Sequence, residues 1–323
     1  MAASWETAVC SERHTMESLE TADMLMVWLL YTVIMFGLGW TLLPGWMRFM
    51  INHKLTDCNY AGERIPTAGG IVICLLLLIH SVIIKGAAYL GGNTFIPSLF
   101  AKQSLLNEFT LAAIVVVFLG FLDDAVGHKS FKGFAGHWRL WKEHRVVSTG
   151  VLKATGVSMA ALLFIFHDSA VLRQPIYWIA VQCLLIVLAS NSINLLDTRP
   201  GRALKGFGIL VVVLAAALPS GESAKWQELM IMALPILVAA AVLLVPDLRG
   251  RIMLGDTGAN LLGFAMGCWI VQVTGWKLQL LLLLVFVVLH GITWRLSLSK
   301  IIDSNRVLSW FDGLGRGSRP NKI

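Results

Sequence analysis

The chain has 323 residues, 57% of them apolar and 14% charged, with a mean hydropathy of +0.73 and a formal net charge of +7. Soluble globular chains are roughly 45–50% apolar and about 25% charged. These departures exclude a disordered chain, a disulfide scaffold and an ordinary soluble enzyme, and leave a polytopic membrane protein.

The first 23 residues hold five acids and one Arg, without the layout of a signal peptide. They read as a polar N-terminal tail, with Met16 and Met24 as alternative starts. Nine apolar runs follow, at 24–43, 68–84, 109–122, 151–166, 176–190, 203–218, 229–246, 258–274 and 276–298. A crossing helix needs about 20 apolar residues, fewer where flanking side chains snorkel. The runs therefore predict an all-α, polytopic integral membrane helix bundle of about nine transmembrane helices. One domain over 24–298 is followed by a basic tail at 299–323. With the N-terminus outside, alternation places 20 of the 26 Lys and Arg in inside loops, Lys153 among them, and 6 outside. Positive charge marks the cytoplasmic side, so the C-terminus lies inside. Topology thus accounts for the basic excess, and no nucleic-acid partner is required. The five cysteines are irregularly spaced, and three sit within apolar runs as small hydrophobes.

Polar residues gather at the inner ends of the spans. The third span runs into Asp123-Asp124. Adjacent carboxylates beside hydrocarbon repel, and a divalent cation shared with substrate phosphates relieves that cost. Helical neighbours point about 100° apart, so one acid can face a metal while the other acts as a base or supporting group. A solvated stop signal is the plainer alternative. The fifth span ends in Asn191, Asn194 and Asp197, which share one face if the helix continues. Arg199 and Arg202 follow, around the helix-breaking Pro200-Gly201; guanidinium is a good fork for phosphate, and also an ordinary inside charge. Before the eighth span, Gly255-Asp256-Thr257-Gly258 reads as a helix N-cap or as a phosphate-binding helix start. Asp247, Arg249 and Arg251 are expected to be solvated. Ile65-Pro66-Thr67-Ala68-Gly69-Gly70 reads locally as a turn and helix start. The basic, Trp-containing stretch 128–153 reads as a membrane-surface or head-group anchor. Three acidic clusters on one face beside basic loops suit a metal-assisted site for a phosphorylated substrate. A secondary transporter would instead carry its polar groups near the bilayer midplane.

At these residues the chain resembles the polyprenyl-phosphate N-acetylhexosamine-1-phosphate transferase family. The likeness runs from about Ile65 to Gly275: IPTAGG, GFLDD, NSINLLD and LGDTGANLLGF follow the order of that family's motifs. The resemblance implies transfer of a sugar-1-phosphate from a UDP-sugar to a polyprenyl phosphate, with Mg2+ required and UMP released at the cytoplasmic membrane face. It implies Asp256 as a magnesium ligand. It assigns Asp123 and Asp124 to activating the lipid phosphate, holding the metal, or both. Asn191, Asn194 and Asp197 would contact the nucleotide-sugar or orient the site, and Gly255 and Thr257 would bind substrate; Arg199 and Arg202 are read as substrate-binding from their guanidinium chemistry. A homodimer is implied as well. Two departures stand out: the Asn-x-x-Asn-x-x-Asp motif continues as Thr198-Arg199-Pro200-Gly201, without a second acid, and the C-terminal segment 301–323 contains no His. These departures motivate an alternative, a catalytically silent member that binds polyprenyl phosphate as a regulator or partner.

Overall fold

The computed structural model describes residues 2–91, 103–126, 149–218 and 221–316, with side chains from Met26 onward apart from Ser223. In chain order its elements are α1 (Ala2–Asn52), β1 (Thr56–Cys58), β2 (Arg64–Pro66), α2 (Gly70–Gly91), α3 (Gln103–Val126) and α4 (Thr149–Ile165). A short 3-10 turn (Ser169–Arg173) leads to α5 (Ile176–Leu196), α6 (Arg202–Ala217), α7 (Ser223–Leu248), α8 (Gly255–Val273) and α9 (Trp276–Arg295). Two short helices, α10 (Leu298–Ser304) and α11 (Arg306–Gly313), occupy the stretch expected to be a basic tail. The basic stretch 128–148 lies outside the described residues.

A helix forms at each of the nine apolar runs, and six of them (α1, α2, α3, α5, α7 and α9) are long and apolar enough to cross a membrane. The helix at Thr149–Ile165 is apolar but shorter. The outward faces of α1 and α9 are apolar: Met26, Leu30, Val33, Leu281 and Leu284 are all more than half exposed. Such surfaces are stable only against lipid.

The interior is organised around α8. Every residue of that helix is buried except Asp256, Val271 and Gln272. It packs chiefly on α5 and α3. Hydrophobic burial does little between helices surrounded by lipid, so small residues that permit close backbone approach take over. A Cβ on Gly263 would lie 2.3 Å from the Ala189 carbonyl oxygen of α5, and one on Gly70 would lie 2.2 Å from the Cα of Gly258. Larger groups, including Trp269, Phe264, Phe109 and Phe164, fill the rest of the core.

An antiparallel hairpin, β1–β2, was not anticipated from the sequence; it pairs Thr56 with Pro66 and Cys58 with Arg64. It delivers the Pro66–Gly70 segment against the strand-like residues preceding α8. The Met253 N–H donates to the Pro66 carbonyl at 2.8 Å, and the Gly69 and Gly70 amides donate to Met253 and Leu254 at 3.0 and 3.2 Å. The local reading of this segment as only a turn missed that long-range pairing.

Candidate active site

The paired acids at the end of α3 divide, as their angular spacing requires. Asp124 turns toward the start of α8: its carboxylate accepts the Asp256 amide at 2.9 Å, the Thr257 amide at 3.0 Å and the Thr257 hydroxyl at 2.5 Å. The first amides of a helix have no partners within it and carry its positive dipole end, so a carboxylate there is held strongly. Gly255 is forced by this arrangement. Its φ is +67°, and a Cβ would lie 2.5 Å from an Asp124 oxygen and 2.8 Å from the Thr67 hydroxyl. Asp197, at the end of α5, lies near the same helix end, close enough for the Gly255 amide to favour its charged form.

Asp123 points the other way. Its Oδ2 accepts from the Lys153 ammonium of α4 at 3.0 Å, and the same ammonium donates to Asp256 Oδ2 at 2.5 Å. The three side chains are largely but not completely enclosed, at 20%, 16% and 27% exposure for Asp123, Lys153 and Asp256. Sequence reasoning missed Lys153 as a site residue, having counted it among inside-loop charges. The available signal was a lone cation within the start of an apolar run.

Asp197 caps α5 and donates its amide to the Asn194 carbonyl at 3.1 Å. Burial, followed by the carboxylates of Asp247, Asp124 and Asp256, pushes Asp197 well above the usual carboxylate range. Asp247 is therefore part of this neighbourhood. It was expected to be solvated, but it is 3% exposed and accepts the Gly201 amide at 2.8 Å. The reason lies in Gly201, whose left-handed φ of +75° turns its N–H inward and leaves it needing a buried acceptor. Arg249 and Arg251 are exposed, as expected.

The remaining predicted residues lie in the same region but are already engaged. Asn191 Nδ2 lies 2.8 Å from His290 Nε2 on α9, a histidine that no motif singled out. Thr257 is fully buried. Arg199 forks onto Asp303 at 2.7 and 2.6 Å, and Arg202 onto Asp312 at 2.9 and 2.8 Å. Both guanidiniums thus face the C-terminal helices.

Among the described residues, no three His, Cys, Asp or Glu side chains converge as a metal cage. The donor chemistry nevertheless fits magnesium. Asp123 and Asp256 offer hard oxygens that already converge on one positive atom, and Mg2+ commonly takes one or two carboxylates and completes its shell with substrate phosphates and water.

The family described as Glycosyl transferase family 4 matches residues 107–274, slightly more than half of the chain. The chain belongs to that family. The matched segment of this family 4 member contains Asp123, Asp124, Lys153, Asn191, Asn194, Asp197 and Asp256, and stops before α9, α10 and α11. Among relatives, the phospho-N-acetylmuramoyl-pentapeptide-transferase of Borreliella burgdorferi (strain ZS7) is 26% identical over 226 residues, covering 63% of this chain and 59% of the relative. The protein of the same name from Chlamydia caviae is 25% identical over 305 residues, covering 82% of this chain and 80% of the relative. With its apolar helices and this family, the chain is a multi-pass membrane protein of the cell membrane.

Proposed function

We propose that this chain transfers a sugar-1-phosphate from a UDP-sugar to a polyprenyl phosphate at the inner membrane face, for cell-wall or surface-glycan synthesis. The reading takes the chain as N-out and C-in with nine crossings, as the loop charges suggest. One observation carries it: Asp123 and Asp256, from helices whose sequence positions are far apart, converge on the ammonium of Lys153, while Asp124 secures the adjacent helix end and Asp197 lies near it. A purely structural interior has little use for two carboxylates on one lysine with two more close by, because unpaired buried charge is expensive.

In the proposed reaction, a lipid-phosphate oxygen bonds to the sugar-bearing phosphorus of the donor. The phosphoanhydride bond breaks, and UMP departs with the electron pair. The lipid phosphate is already anionic at neutral pH, so positioning and charge neutralisation do most of the work. Asp123 and Asp256 would hold Mg2+, which supplies charge neutralisation to the phosphates. Lys153 keeps those two carboxylates together and adds positive charge beside the transferred group. Asp124 fixes the start of α8, so that Asp256 is presented from a rigid helix end. Asn191, Asn194 and Asp197 face the donor from the end of α5.

The test is UMP release by the purified, detergent-solubilised chain given undecaprenyl phosphate, Mg2+ and a panel of UDP-sugars. Turnover with one donor, abolished by chelation and by Asp256→Asn, is the expected result. Folded, lipid-binding protein that turns over no donor would replace this reading with the silent lipid-phosphate binder. The pairing of Lys153 with both acids gives that second reading its support, since the site's central charges are partly balanced without a metal.

A further inference from the structure

The two C-terminal helices are attached in an unusual way. Asp312 is the only buried residue of α11, and α10 has none. The apolar residues of α11 lie outward instead, with Val307 and Trp310 exposed at 71% and 66%. A short amphipathic helix normally buries its apolar side and leaves its carboxylates wet. Here the reverse holds, and the reason is Arg202.

Arg202 is 4% exposed and uses all three guanidinium nitrogens. Nε and Nη2 fork onto Asp312, while Nη1 donates to the Thr198 hydroxyl at 2.8 Å and the Ser299 hydroxyl at 2.9 Å. Arg316 adds a bond to Asp312 at 2.6 Å and donates to the Pro200 carbonyl at 3.0 Å. Lys205 reaches the Phe311 and Asp312 carbonyls at the end of α11. Apart from the Arg202–Thr198 bond, which stays within the stretch 198–205, and the Arg316–Asp312 bond, which stays within the C-terminal segment, these bonds run between the two. On its other side, that stretch is held by Asp247 through the Gly201 amide. The turn Thr198–Gly201 follows directly on Asp197, the C-cap of α5, whose amide donates to the Asn194 carbonyl.

We propose that Asp312 is a positioning residue, which through Arg202 holds the Thr198–Gly201 turn and thereby the Asn194–Asp197 end of the donor site. The inference rests on the transferase reading for its catalytic readout. Asp303 and Asp312 lie beyond the segment 107–274 matched by the family. It also gives Arg199 and Arg202 a use that does not require substrate contact.

The experiment has two arms, run on full-length chain with Cys10→Ser and Cys58→Ser. The first introduces Thr198→Cys with Ser299→Cys, whose parent hydroxyls are 3.4 Å apart, and follows disulfide formation under mild oxidant. Asp312→Asn is expected to slow this cross-link about tenfold, because an unpaired Arg202 no longer holds the helices against the turn. An unchanged rate overturns the proposal, whether or not the chain shows turnover. The second arm measures KM for each substrate without the cysteine pair. Asp312→Asn is expected to raise the KM for the UDP-sugar about tenfold while leaving that for the lipid phosphate within about twofold, and Asp312→Glu to recover part of the loss. Oxidising the cysteine pair in the Asp312→Asn background is expected to restore the donor KM, which separates misplacement from misfolding. Equal changes in both KM values, or no rescue by the cross-link, overturn the positioning role. Wild type that turns over no donor defeats the transferase reading first, and the cross-linking arm then decides the clamp alone.

Discussion

Two charged clusters sit at the same end of this helix bundle, and they differ in their balance. Among the described residues around Lys153 there are more acids than bases: Asp123 and Asp256 share one ammonium, with Asp124 close behind on backbone amides and Asp197 nearby. Around Asp312 the bases predominate, and each is committed: Arg202, Arg316 and Lys205 all terminate on Asp312 or on nearby carbonyls, and Arg199 on Asp303. A surplus of carboxylate in a partly enclosed site calls for added positive charge, which a phosphate-bound metal supplies. A set of guanidiniums with matched acceptors asks for nothing further. Charge left without a matched partner, more than the number of charges, separates a site for chemistry from a fastening.

The largest expected difference follows from that imbalance. Asp256→Asn and Asp123→Asn should each lower kcat by about 10²–10³-fold, the scale seen when a preorganised electrostatic group is removed from a transition state. Circular dichroism should show the helix content unchanged. Arg199→Ala, in the matched cluster, should leave kcat within about twofold. Similar losses from all three would erase the distinction between the clusters.

Removing Lys153, the one base of the acidic cluster among the described residues, sharpens the comparison further. Lys153→Met leaves Asp123 and Asp256 facing one another without a counter-charge, and breaking an enclosed pair from one side costs about 3 kcal/mol. In chelator the variant should therefore unfold at a lower temperature than wild type, and millimolar Mg2+ should recover most of the loss. Asp312→Asn should also unfold earlier, but Mg2+ should not rescue it. A Mg2+ response of equal size in both variants would show that the ion acts generally rather than between the two carboxylates.

How much of this was legible in the sequence depends on where each residue's partner lies. The helices were legible because long apolar runs must be satisfied internally in lipid. The hairpin was not, because two three-residue strands carry no periodic signal and their outer partner, Met253, is nearly 190 residues on. Asp123, Asp124 and Asp256 announced themselves because acids beside hydrocarbon are costly. Lys153 did not, since any lysine at the inner end of a span already has an explanation in topology; its partners are 30 and 103 residues away. Asp247 was misread as solvated for a similar reason, because its partner is a backbone amide that only the fold brings near. Arg199 and Arg202 were read as phosphate forks or inside charges; their carboxylate partners, Asp303 and Asp312, lie more than 100 residues on.

The matched cluster also has a distinctive pH response. Burial works against ionisation of Asp312, but hydrogen bonds from Arg202 and Arg316 outweigh it and hold the carboxyl at about 2, below its ordinary value of 3.8. A group with a lowered folded pKa contributes stability that is complete above the unfolded value and is lost as pH falls through the folded one. The gap in melting temperature between wild type and Asp312→Asn should therefore stay constant from about pH 8 to pH 5. It should narrow only below about pH 4, and nearly close near pH 2. A gap that narrows already between pH 7 and 5 would mean that Asp312 is not held by its two arginines.

The smallest expected effect comes from the outermost pair. Arg199 and Asp303 form a good bidentate contact at 2.7 and 2.6 Å, yet they are 29% and 46% exposed. Exposed pairs contribute roughly 0–1 kcal/mol and weaken with salt. The hydrogen bond to Asp303 raises the Arg199 pKa, but arginine is charged throughout the working range, so no pH step follows from it. Arg199→Ala should therefore lower stability by less than about 1 kcal/mol, with the difference shrinking as ionic strength rises. What makes this small effect informative is the other use of a guanidinium. A phosphate contact made by Arg199 in the occupied site would raise the KM for the UDP-sugar in the alanine variant, with little change in melting temperature. Asp303→Asn would then free Arg199 for substrate and lower that KM. An exposed fastening predicts the opposite pattern, in which Arg199→Ala and Asp303→Asn reduce stability by similar small amounts and leave the donor KM alone.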